Sequence, residues 1–159
     1  MSKHKETEFA DLFPKEYIRY PSKEQDMFEH WDIEVQGIKF DVKALKKINR
    51  RDSDTTNLFN FLEIKNVRGN AGWAYGDADA FAFETQNKWI LVYKKDIQSL
   101  ISEKVQKEWV KKSSECLYKL YRRAGRKDCI TMVHNMDLVE RSFKILSKEK
   151  TEQLQTKQL

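Results

Sequence analysis

Asp32, Asp41 and Lys43 stand in the stretch Trp31-Asp32-Ile33-Glu34-Val35-Gln36-Gly37-Ile38-Lys39-Phe40-Asp41-Val42-Lys43, where apolar and polar residues alternate on both sides of Gln36-Gly37. Such alternation around a glycine-containing pair predicts a two-stranded hairpin, Trp31 to Val35 and Ile38 to Leu45. Asp41 and Lys43 are two apart, so on a strand they leave the same face. Counting outward from the turn sets Asp32 opposite Asp41 or one step away, within side-chain reach. Two carboxylates that close repel unless a cation or a proton neutralises them. Magnesium suits the place, with manganese as a substitute: it takes hard oxygen ligands, keeps several waters and leaves room for phosphate oxygens. The Val42 carbonyl offers another oxygen on the same rim. Lys43 is then placed to position an attacking water or to stabilise charge on a phosphate.

Other elements must hold this hairpin. Phe9, Leu12, Phe13, Tyr17, Ile18, Met27 and Phe28, interrupted by Pro14 and Pro21, predict two short helices before it. A polar segment, 46–57, reads as a basic loop with Lys46, Lys47, Arg50 and Arg51 placed to follow a phosphate backbone. Leu58 to Val67 predicts a third strand, and Ala80 to Glu84 and Trp89 to Tyr93 a fourth and fifth. Apolar residues at three- and four-residue steps predict a long helix from Asp96 to about Arg123. Cys129 to Val133 reads as a short strand and Asp137 to Leu146 as a final helix. The expected fold is α+β: a mixed, mostly antiparallel five-stranded sheet flanked by helices, with long C-terminal helices.

At 159 residues, 40% of them hydrophobic, the chain fits one domain over 1–147 followed by a polar tail, 148–159. Cys116 and Cys129 lack CxxC spacing and a histidine cluster, which argues for reduced thiols and against zinc. No apolar run approaches the roughly 20 residues a membrane span needs, so a cytoplasmic protein with no membrane partner is expected. A net charge of +5 suits a polyanionic partner without naming one.

The spacing Asp32, eight residues, Asp41-Val42-Lys43 resembles the PD-(D/E)XK nuclease superfamily, in which an acid precedes a hairpin that carries Asp or Glu, any residue, and Lys. Trp31 replaces the family's proline. The resemblance runs over roughly 15 to 95, and Asn66 to Glu84 looks like a phage-type version. It implies a restriction-endonuclease-like fold and magnesium-dependent hydrolysis of DNA phosphodiesters, in a bacterial or phage-infected cell, by an enzyme that works as a homodimer wherever both strands are cut. It also implies a helical acid upstream, for which Glu29 is favoured over Glu16 and Glu24.

Two assignments of the motif stand open. In one, Asp32 and Asp41 bind metal with the Val42 carbonyl and Lys43 serves the water, while Glu63 is a neighbouring-strand ligand and Lys65 a phosphate contact. In the other, Asp41 is the first acid and Glu63-Ile64-Lys65 supplies the rest. Blander roles stand beside these. The hairpin charges fit a surface ion pair worth under about 1 kcal/mol. Asp77 and Asp79 fit a turn and a strand start. Trp73 fits a core anchor as well as a base-stacking platform. Lys111, Lys112, Arg122, Arg123, Arg126 and Lys127 fit a solvated helix face, and His30 and His134 are structural. The alternative function is a non-catalytic nucleic-acid-binding or interaction protein on the same fold.

Overall fold

The computed structural model describes residues 3–45, 58–148 and 159. In chain order its elements are helix α1 (Lys3–Ala10), strand β1 (Ile18–Arg19), α2 (Lys23–Phe28), β2 (Ile33–Val35), β3 (Ile38–Lys43), β4 (Phe59–Lys65), β5 (Ala80–Glu84), β6 (Lys88–Tyr93), α3 (Lys94–Lys104), β7 (Trp109–Val110), β8 (Leu120–Tyr121), β9 (Cys129–His134), α4 (Asn135–Arg141) and β10 (Lys144–Ser147). Short 3-10 turns lie at Lys15–Tyr17, Trp73–Tyr75 and Ser113–Glu115. The class is α+β, as expected, but the strands divide between two mixed sheets. One has six strands in the order β1-β2-β3-β5-β6-β10, the other four in the order β4-β9-β8-β7. The chain correspondingly forms two compact units, one from Met1–Ala44, Asp77–Tyr93 and Ser142–Leu159, the other from Leu45–Gly76 and Lys94–Arg141.

The first unit is built around the predicted hairpin. Gln36 and Gly37 both have positive φ, 49° and 84°, the backbone of a two-residue turn whose twist matches its strands. Ile33 pairs with Phe40, Glu34 with Lys39 and Val35 with Ile38. β3 then runs parallel to β5, with Asp41 beside Phe81 and Lys43 beside Phe83. Ile33, Val35, Phe40, Val42, Ala80, Ala82, Trp89 and Leu91 turn one face of the sheet into a core that Phe9 of α1 and Leu12 and Phe13 of the turn after it cover. The Phe9 ring sits 5.3 Å from each of Phe13, Phe40 and Trp89. At full burial each such side chain contributes roughly 1.5–3 kcal/mol.

The final predicted helix is corrected. It spans Asn135–Arg141 only, and Lys144–Ser147 forms β10 on β6. The open edge of β6 takes the chain up, the Phe143 N–H bonding to the Leu91 carbonyl and Leu146 entering the core. Residues 15–19, read as helical, form a 3-10 turn and then β1, which pairs with β2.

In the second unit β4 pairs antiparallel with β9, Phe61 opposite Met132 and Leu62 opposite Thr131. The third predicted strand is therefore real but belongs to another sheet. The long helix expected from Asp96 to Arg123 is also corrected. α3 ends at Lys104, and the Gln106 N–H turns instead to the Tyr118 carbonyl, 2.8 Å away. Beyond it, Trp109-Val110 and Leu120-Tyr121 are β-formers whose spacing coincides with a helical stripe, and Ser113-Ser114 favours a turn. Among the described residues no helix is long and apolar enough to cross a membrane.

Candidate active site

The hairpin brings Asp32, Asp41 and Lys43 together. Asp32 lies one residue before β2, where its N–H bonds to the Phe40 carbonyl at 2.8 Å and its carboxylate accepts from the Val42 N–H at 2.7 Å. The side chain thus extends the ladder by one step and sits opposite Asp41. A strand residue points its N–H and C=O to the same side, so the Val42 carbonyl also faces the Asp32 edge. Lys43 Nζ is 3.1 Å from Asp41 Oδ1, as two same-face residues on a strand allow.

Asp41 is only 8% exposed. Burial pushes its carboxyl up to about 6; Lys43 opposes the rise, and the Asp32 charge adds to it. One lysine does not neutralise two carboxylates in so dry a place. Among the described residues no group of three or more His, Cys, Asp or Glu side chains is set to hold a metal. The local oxygen donors are therefore two carboxylates and a backbone carbonyl. This set fits magnesium, which is commonly bound by one or two carboxylates with waters and substrate phosphate completing the octahedron.

Glu29, at the end of α2, points elsewhere. Its Oε1 accepts from Lys39 Nζ and from Trp31 Nε1, each at 3.1 Å. Lys39 first, and Trp31 second, hold its carboxyl below the usual range. The adjoining pair is closed as well, Arg19 forking onto Glu34 at 3.0 and 2.8 Å. Asp79 takes the turn role, accepting from the Lys39 N–H at 2.9 Å at the start of β5.

Glu63 and Lys65 stand on β4 in the second unit, with a register shift between them. The Glu63 carboxylate accepts from the Trp73 N–H at 3.3 Å. Gly72 makes that approach possible: its N–H bonds to the Ile64 carbonyl at 2.9 Å, and a Cβ there would lie 2.4 Å from the Glu63 carbonyl oxygen. Trp73 is half-buried at the start of the 3-10 turn, which α3 clamps from Lys94 Nζ onto the Gly76 carbonyl and from Gln98 Nε2 onto Ala74. Lys46, Lys47, Arg50 and Arg51 lie outside the described residues.

The second unit holds a polar network that sequence reasoning missed. Tyr118, at φ 55°, donates its hydroxyl to Asp137 and accepts from the His134 N–H at 3.0 Å, and Lys104 Nζ reaches Asp137 at 2.7 Å. Burial raises the Asp137 carboxyl, but the Lys104 and Tyr118 hydrogen bonds outweigh it and hold the group below its usual range. Burial first, then the Asp137 bond, pushes the Tyr118 hydroxyl up to about 12. No signal in the sequence marks this set, because its members come from α3, β9, α4 and the segment before β8.

No protein-family model, curated protein or solved structure matches the chain.

Proposed function

We propose that the protein is a metal-dependent endonuclease that hydrolyses DNA phosphodiester bonds, with a restriction-endonuclease-like organisation of its hairpin. The observation that carries the reading is the buried Asp41, pushed up to about 6 beside Asp32 with a single lysine at 3.1 Å. A carboxylate held that way gains most from a divalent cation. Asp32, Asp41 and the Val42 carbonyl would hold magnesium or manganese, which when bound supplies Lewis acidity toward a phosphate oxygen and toward water. Asp32 keeps the strands in register through the Val42 N–H. Lys43 holds its ammonium against Asp41 and turns it to the scissile phosphate, where it orients the attacking water and offsets charge on the phosphoryl oxygens.

Glu63 and Lys65 are the competing assignment, favoured by the backbone N–H that fixes the Glu63 carboxylate. A monomer with one such site cuts one strand per encounter, so concerted double-strand cleavage calls for a homodimer. The test is incubation of supercoiled, linear and single-stranded DNA with magnesium or manganese. Cleavage by the wild type, lost in Asp41→Asn and Lys43→Ala, supports the hairpin set; loss in Glu63→Gln and Lys65→Ala with Lys43→Ala active assigns the chemistry to β4. Cleavage that survives Asp41→Asn, or none by the wild type, overturns the proposal and leaves the non-catalytic binding module.

A further inference from the structure

The second unit contains an open cleft of about 580 Å³, within the range of organic-ligand sites. Its floor is apolar: Ile64 from β4, Ile101 and Val105 at the end of α3, and Leu120 from β8. Lys65 and Lys107 stand on its rim, and among the described residues no acidic side chain lines it. Trp109, 49% exposed, forms one wall. The Arg122 guanidinium lies over that indole, 4.5 Å from the ring centroid, anchored by its Nε on the Asp128 carbonyl at 3.2 Å.

The chain around the cleft is strongly cationic. Residues 104–127 carry nine Lys and Arg against two Glu. Lys104, Lys119 and Arg123 are taken up by Asp137, Glu108 and Asp128. Lys65 and Lys107 have no carboxylate within ion-pair distance among the described residues. Burial raises the Cys129 thiol at the cleft wall, and the charges of Lys65 and Arg122 oppose that rise while Asp128 adds to it. The place therefore combines an aromatic wall whose ring carries Arg122 over one face, an apolar floor, exposed amide and hydroxyl groups from Gln106 and Ser102, and a cationic rim. An occupant has to be planar or apolar at its centre and anionic at its margins.

We propose that this cleft takes one unpaired base of a single-stranded nucleic acid, the base entering against Trp109 and the apolar floor and the flanking phosphates resting on Lys65, Lys107 and Arg122. Stacking on an aromatic wall tolerates any base, while the lysines follow the backbone. A duplex does not fit the arrangement, because its bases are covered by their neighbours. The inference does not require the hairpin to be catalytic.

The test is fluorescence anisotropy of labelled octathymidylate in EDTA, beside an abasic oligomer of equal charge and a short duplex. The wild type is expected to bind octathymidylate roughly tenfold or more tightly than the abasic oligomer, with the duplex weaker than octathymidylate. Trp109→Ala should erase that difference, Trp109→Phe should keep most of it, and Lys107→Gln should reduce the slope of log affinity against log salt by about 0.7. Equal binding of the abasic oligomer, stronger binding of the duplex, no binding, or an unchanged preference in Trp109→Ala overturns the inference. Should Trp109→Ala unfold, the Trp109→Phe and Lys107→Gln results decide. Cleavage without base-dependent binding refutes this cleft alone, and base-dependent binding without cleavage refutes the nuclease reading alone.

Discussion

Two places in the molecule put a buried aspartate beside a lysine, and their charges come out oppositely. On the hairpin, Asp41 has Lys43 at 3.1 Å and Asp32 as a like-charged neighbour, and its carboxyl rises to about 6. In the second unit, Asp137 has Lys104 at 2.7 Å and the Tyr118 hydroxyl, and its carboxyl falls below the usual range. Two further buried acids are ion-paired: Glu84 is bridged by Lys5 and Lys148 at 2.8 and 2.7 Å, and Asp128 is held by Arg123 at 2.5 Å. An aspartate supplied with enough donors is a fastener. One left with too few, next to a second carboxylate, is where the proposed function seats a cation.

The largest separation between the two places concerns activity. Asp41→Asn is expected to lower metal-dependent cleavage roughly a hundredfold or more, while Asp137→Asn, in a properly folded sample, leaves it within a few-fold; initial rates on supercoiled DNA measure both.

Stability should separate them in the opposite sense. Asp41 has a folded-state value above its unfolded one, so its ionisation costs stability, with the loss accumulating as pH rises from about 4 to about 6. Asp41→Asn removes that cost and should raise stability at pH 7, on the order of 1–3 kcal/mol in metal-free buffer, with little gain below pH 4. Asp137 has a lowered value, so its contribution is present above the usual carboxylate range and is lost as pH falls through it. Asp137→Asn should therefore cost about 2 kcal/mol at pH 7 and less in acid. Urea unfolding across pH 4 to 7.5 tests both signs; a stabilised Asp137→Asn or a destabilised Asp41→Asn at pH 7 breaks the contrast.

Two smaller effects sharpen it. Tyr118→Phe removes the hydroxyl that serves both Asp137 and the His134 N–H and should cost about 1.5 kcal/mol. Gly37→Ala meets nothing within 4 Å but must hold φ at 84°, so about 1 kcal/mol is expected, with the hairpin pairing preserved. Thermal unfolding measures each.

The hairpin was legible in the sequence because everything that makes it is local. Period-two alternation, a glycine where φ is positive, and the two-residue offset of Asp41 and Lys43 all act within a dozen residues, and the observed register continues Asp32 onto Asp41. What the sequence hid depends on partners distant in the chain. Lys144–Ser147 becomes a strand because β6 offers an open edge, and α3 ends because Gln106 finds the Tyr118 carbonyl. Trp109 and Leu120 fit a helical stripe by number yet lie on two parallel strands. Glu29 had the right charge near the right place, but Lys39 and Trp31 claim it. The basic residues of 46–57 lie outside the described residues.

The most direct measurement is calorimetric titration of manganese and magnesium into the wild type and Asp41→Asn at pH 7.5. Saturable binding in the wild type, absent or at least tenfold weaker in Asp41→Asn and similarly weakened in Asp32→Asn, is the predicted result. Equal binding in all three, or none in the wild type, contradicts a cation site on the hairpin.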